Sequence, residues 1–134
     1  MNKQKMFDTI VEKLHEQGVR SYDTYYNHCV YRGENGAKCA VGHILSDRYY
    51  REDMDVNGLN RVKDIVKLGY KLPRYISDNV DFLTNMQKWH DADTTWNDTG
   101  FSPKGIKGLY YIAKMHNLDD SIVSKIDMSI KKSG

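Results

Sequence analysis

Apolar residues Met6, Phe7, Ile10, Val11 and Leu14 recur at helical spacing and Gly18 follows them, which predicts a helix over roughly residues 3–17 with one buried stripe. "RSYDTYYNH" has no such period and reads as a loop or short strand. "CVYR" and "AKCAV" flank "GENG", the pattern of a small hairpin near residues 29–40. From Cys39 the pattern changes, and Ala40, Val41, Ile44 and Leu45 suit a short buried helix ending near Asp47. "DRYYREDMD" is polar and aromatic without a period, so it reads as an exposed connection.

Leu59, Val62, Ile65, Val66 and Leu68 form a second stripe, with Asn57 as N-cap and Gly69 as stop. "YKLPRYIS" reads as a linker marked by Pro73. Ser77 then caps a helix carrying Val80, Leu83, Met86, Gln87 and His90 along one side, and "DADTTWNDTG" follows as a polar loop. Ser102-Pro103 is an N-cap with Pro at the first helical position, opening a helix with Ile106, Leu109, Tyr110 and Ala113. A last helix from about Asp119 presents Ile122, Val123, Ile126 and Ile130. The expected fold is mainly α (α+β), five or six helices with one small β-hairpin, in a single domain spanning residues 1–134.

Composition fits that picture: 40% apolar and 28% charged residues describe an ordinary globule. Ten tyrosines against three Phe and two Trp imply a thin core or a contact surface, since tyrosine buries a ring and keeps a hydroxyl wet. A net charge of +2 with the signs mixed argues against a nucleic-acid partner. "MNKQKMFDTI" has no apolar signal core, and no apolar run approaches a membrane span. The expectation is a cytoplasmic protein with no membrane partner and with reduced thiols.

The chemistry concentrates in "HCVYRGENGAKCAVGH", which holds both cysteines of the chain. Structural zinc needs four ligands. His28 and Cys29 are adjacent and point to opposite faces of a strand, so with Cys39 and His43 three ligands gather at best, and no metal is expected. A two-residue turn at Asn35-Gly36 places the cysteines on opposite faces. A three-residue loop with Gly36 left-handed makes them diagonal neighbours, too far apart for an easy bridge.

Cys39, at a helix start beside Lys38 and one turn before His43, is the best nucleophile candidate, set against the plain alternative of a packed thiol. The three-residue register sets Arg32 opposite Lys38, an arrangement relieved by solvent or by an anion. His90-Asp91 reads either as a base held by a carboxylate or as a cap on a helix end. Asp53 and Asp55 lack the glycine and glutamate of a calcium loop. No dinucleotide, Walker or nucleophile-elbow motif is present, so no cofactor is expected.

Two blocks carry a resemblance. Cys29, Tyr31-Arg32, Gly33 and Gly36, Lys38-Cys39-Ala40, Gly42, Ile44-Leu45, Asp47 and Tyr50 form the first; Leu83, Gln87 and His90-Asp91 form the second. Together they resemble a family of small phage and prophage proteins of undefined function, over about half of the chain. Ser46 stands where that family usually has proline, and the family varies at the position of His43. The resemblance implies action inside an infected cell and supplies no reaction. If the blocks meet, Tyr31, Arg32, Lys38, Asp47, Gln87, His90 and Asp91 would line one polar site. The expected function is an accessory protein that binds a host protein or a small anionic ligand. The alternative is a small enzyme acting on a nucleotide or nucleic acid through Cys39 or His90-Asp91.

Overall fold

The computed structural model describes residues 1–133. Helix α1 (Lys3–Gln17) buries the expected stripe of Met6, Phe7, Ile10, Val11 and Leu14. Asn2 caps it by accepting the Lys5 N–H at 2.8 Å. Gly18, at φ +74°, ends it in the left-handed region and returns its N–H to Leu14. Strands β1 (Tyr22–Asp23) and β2 (His28–Cys29) form an antiparallel pair inside the stretch that lacks periodicity. The turn between them is wound by Asp23, whose carboxylate accepts the N–H groups of Tyr25 and Tyr26.

At residues 29–40 the hairpin narrows to a single bridge, Arg32 opposite Lys38, which is the three-residue register. Asn35 and Gly36 both take positive φ there, and Gly33 N–H closes onto the Ala37 carbonyl at 2.7 Å. The ladder stops because its donors are used elsewhere. Val30 N–H goes to Ser21, and the N–H groups of Tyr31 and Arg32 go to the Asp55 carboxylate.

Seven α-helices lie among the described residues, so the fold is mainly α with two small two-stranded sheets. The expected helix after Cys39 is one 3-10 turn, Val41–His43. The stretch read as an exposed connection holds α2 (Glu52–Val56), which buries Met54 and Asp55. Asn57 ends α2 rather than starting α3 (Val62–Lys67). The linker around Pro73 contains α4 (Arg74–Ser77), one turn that buries Ile76. Ser77 is its last residue, and α5 (Val80–Asp91) begins after Asn79.

The polar loop folds too. A 3-10 turn at Asp93–Thr95 leads into β3 (Trp96–Asn97) and β4 (Gly100–Phe101), paired antiparallel. Helix α6 (Pro103–Met115) opens as expected, with the Ser102 hydroxyl accepting the Gly105 N–H at 2.9 Å. Helix α7 (Ser121–Ser133) closes the chain.

Helix α1 packs on α7, on β4 and on the Val41–His43 turn, while α5 packs on α3, α6 and that same turn. The two resemblance blocks therefore meet where the Val41–His43 turn touches α5. No helix is long and apolar enough to cross a membrane among the described residues.

Candidate functional site

Three hydrogen-bonded joints absorb most of the polar residues singled out by the sequence. The first centres on Asp55, 5% exposed, which accepts from Tyr31 N–H at 2.7 Å, Arg32 N–H at 3.2 Å and the Tyr50 hydroxyl at 2.5 Å. Burial and this carboxylate together push the Tyr50 hydroxyl well above its ordinary range. Arg32 is threaded through the same corner. Its guanidinium donates to the Leu45 carbonyl at 3.1 Å, pairs with Asp47 at 2.5 Å and lies 4.4 Å above the Tyr50 ring centre. The Asp47 side chain is 91% exposed, so solvent screens that pair.

The second joint is Gln17 at the end of α1. Its Oε1 accepts the Lys38 N–H and His43 Nε2–H, both at 2.9 Å, and its amide nitrogen donates to the carbonyls of Lys38 and Val19. Burial, followed by the charge of Lys38, pushes His43 down to about 4. His43 is thus neutral near pH 7 and donates through Nε2.

The third joint ties the two blocks together through α5. Gln87 Oε1 accepts the Val41 N–H at 3.2 Å, and the Gln87 amide lies against the Cys39 thiol. That contact is too loose for a formed hydrogen bond, because Gln87 Nε2 is buried without a partner of good geometry. Cys39 is fully buried; burial raises its thiol, and the Gln87 amide and the Gly42 N–H only partly offset this.

One turn further along α5, His90 is fully buried between Ser21, Asp91 and Trp96. Its Nε2 accepts the Ser21 N–H at 3.0 Å, so the ring proton is assigned to Nδ1 and donated to Asp91 Oδ1 at 2.8 Å. Asn60 holds the other Asp91 oxygen at 3.2 Å, and Arg20 holds the Asp91 carbonyl at 2.8 Å. Burial, then Asp91, pushes the Cys29 thiol up to about 12.

Cys29, His90 and Asp91 bring ligand atoms within 4.8 Å of one another, the one cluster with metal-ligand chemistry among the described residues. The hydrogen bonding opposes that use. Ligation through Nδ1 would leave the neutral imidazole with its proton on Nε2, pointing at the Ser21 N–H, whereas a metal-bound histidine offers that proton to an acceptor. A buried joint fits these residues better than a metal centre. Catalysis meets the same obstacle. Cys29 and Cys39 are free but buried and protonated, and both nitrogens of His90 are committed.

The seven expected site residues do not gather around one concavity. Arg32, Lys38 and Asp47 border a depression of about 360 Å³ with His43, Ser46 and Tyr75. Gln87 and Asp91 border another, of about 410 Å³, with Asn60, Arg61, Thr84 and Lys88. Tyr31 and His90 lie in the interior, Tyr31 giving its hydroxyl to the Leu59 carbonyl at 2.6 Å. The two blocks do meet, but by their buried faces. Asp55, Gln17, Ser21 and Asn60, which complete the joints, carry no signal in the sequence beyond being polar residues near apolar ones. Comparison with family models, curated proteins and solved structures finds no match to this chain.

Proposed function

We propose that the protein acts by binding and not by covalent chemistry, as a phage accessory protein engaging a small anionic ligand or a host factor in the infected cell's cytoplasm. The observation that carries this reading is the division of the Cys29–Asp47 segment. Its thiols face inward and protonated, while Arg32 and Lys38, opposed across one bridge, border an open depression. Arg32 and Lys38 put two cations on the border of one depression, and Asp47, out in solvent, is a weak counter-charge. A phosphate-bearing ligand would replace Asp47 at Arg32 and reach Lys38 as well. The likeness of the two blocks to small phage proteins supports the setting.

Thermal shift and calorimetric titration with inorganic phosphate and with nucleotides test the proposal, on the wild type and on Arg32→Gln and Lys38→Gln. Saturable binding lost in both variants is the expected result. No shift with any anion, together with no host partner in a pull-down, overturns it. Turnover of a nucleotide or nucleic acid that disappears in folded Cys39→Ala or His90→Ala would favour the enzyme alternative.

A further inference from the structure

The whole-chain charge of +2 conceals an uneven distribution. No Asp or Glu occurs between Asp98 and Asp119, the longest acid-free stretch of the chain, and it contains all of α6. Lys104, Lys107 and Lys114 are exposed on that helix, and none has a hydrogen-bond or ion-pair partner among the described residues. With 3.6 residues per turn, these lysines and Tyr111 fall within an arc of ~80°, in a row ~15 Å long. The opposite arc is the buried face of Gly105, Ile106, Leu109, Ile112 and Ala113, so packing holds the row outward. On the α7 side the Tyr110 hydroxyl meets Asp127, and Asp127 is already paired with Lys131 at 3.4 Å.

We infer that α6 is a docking face for single-stranded nucleic acid, with Lys104, Lys107 and Lys114 on the phosphate backbone and Tyr111 stacking on a base. Charge complementarity selects a polyanion. The residue types select nucleic acid over an acidic protein: lysine is depleted in protein–protein interfaces, whereas mobile ammonium groups suit phosphates that need no fixed geometry. The Tyr111 ring, 66% exposed between the lysines, offers the stacking surface that unpaired bases take. None of these residues borders the Arg32–Lys38 depression, so this face stands or falls independently of the proposed anion site. The mixed signs that oppose a nucleic-acid partner over the whole chain are absent from α6.

Fluorescence anisotropy with a labelled oligothymidylate is the test. Three phosphate contacts to a single strand give a salt slope near −2, so affinity should fall roughly 20-fold between about 50 and 200 mM salt. The triple variant Lys104→Gln, Lys107→Gln, Lys114→Gln keeps helix-forming residues and should abolish binding, while the corresponding triple Arg variant should retain it. Tyr111→Ala should weaken binding at least about fivefold. The inference is overturned by any of four results: no saturable binding at low salt, binding indifferent to the Gln triple, polyglutamate competing as well as the oligonucleotide, or a duplex bound more tightly than the single strand.

Discussion

The Ser21 backbone N–H points at His90 Nε2 from 3.0 Å, and that bond decides what the histidine can do. A donor at Nε2 requires a lone pair there, so the ring is held as the Nδ1–H tautomer with its proton toward Asp91. His90 thus pins the start of β1 to the end of α5, two segments far apart in the chain. In His90→Phe the shape is kept and both bonds are lost, leaving the Ser21 N–H buried without a partner. The expected cost is about 2–3 kcal/mol in urea unfolding. Nitrogen NMR of the wild type should place the ring proton on Nδ1; a proton on Nε2, or a negligible loss of stability in the variant, would contradict this role.

The thiols should be silent in the folded protein. Cys29 is pushed up to about 12 by burial and Asp91, and burial raises Cys39 as well, so neither supplies thiolate near pH 8. A disulfide reagent should label neither residue in native protein at pH 8 and both after denaturation. The linkage follows the same sign. A thiol raised in the folded state keeps its contribution to stability below the unfolded value of about 9 and loses it as pH rises toward 12. Native labelling of Cys39 at the rate of a free thiol would revive a nucleophilic role.

The long amphipathic helices are legible in the sequence because a period of 3.6 is redundant over four turns. Met6 to Leu14 in α1 repeat one message five times, and Ile106 to Ala113 in α6 four times. Helices α2 and α4, one turn each, cannot repeat it, and what holds them is tertiary: Met54 and Ile76 enter the core. The Arg32–Lys38 register was one of two that the sequence left open, because Gly36 takes a left-handed position in either turn. The end of the ladder was not legible, since it depends on Asp55, twenty-three residues downstream. For the site, the sequence offered the meeting of the two blocks only as a condition, which the contact between the Val41–His43 turn and α5 meets. Their orientation was not legible: nothing local distinguishes a glutamine or histidine facing a cavity from one facing a backbone N–H.

His43 makes stability sensitive to acid. Burial and the charge of Lys38 hold it down to about 4 in the folded state, against about 6.5 when unfolded. Below pH 6.5 the unfolded chain gains a proton that the folded one refuses. Stability should fall as pH drops from 6.5 to 4 and gain no further slope from this residue below that. In His43→Gln this part of the pH dependence should vanish, read as the difference in urea midpoint between pH 7 and pH 5. Equal pH slopes in wild type and variant would show that His43 titrates as an ordinary exposed imidazole.

Gly42 tests whether the meeting of the two blocks holds the fold together. A Cβ there would lie 2.2 Å from the Tyr31 carbonyl oxygen, a backbone atom that cannot swing aside. Tyr31 is itself fixed by Asp55 and by Leu59, so relief would have to come from moving the Val41–His43 turn off α5. Gly42→Ala should cost roughly 3 kcal/mol or more, enough to lower soluble yield. Gly36 has the opposite problem, with open space around it but φ at +77°. Gly36→Ala should cost only about 1–2 kcal/mol, and Gly36→Asn less, because asparagine tolerates the left-handed region. The order Gly42→Ala, Gly36→Ala, Gly36→Asn in urea midpoints is the measurement. If Gly42→Ala unfolds no earlier than Gly36→Ala, the turn is free to move, and the Gln87–Val41 bond does not anchor the first block to α5.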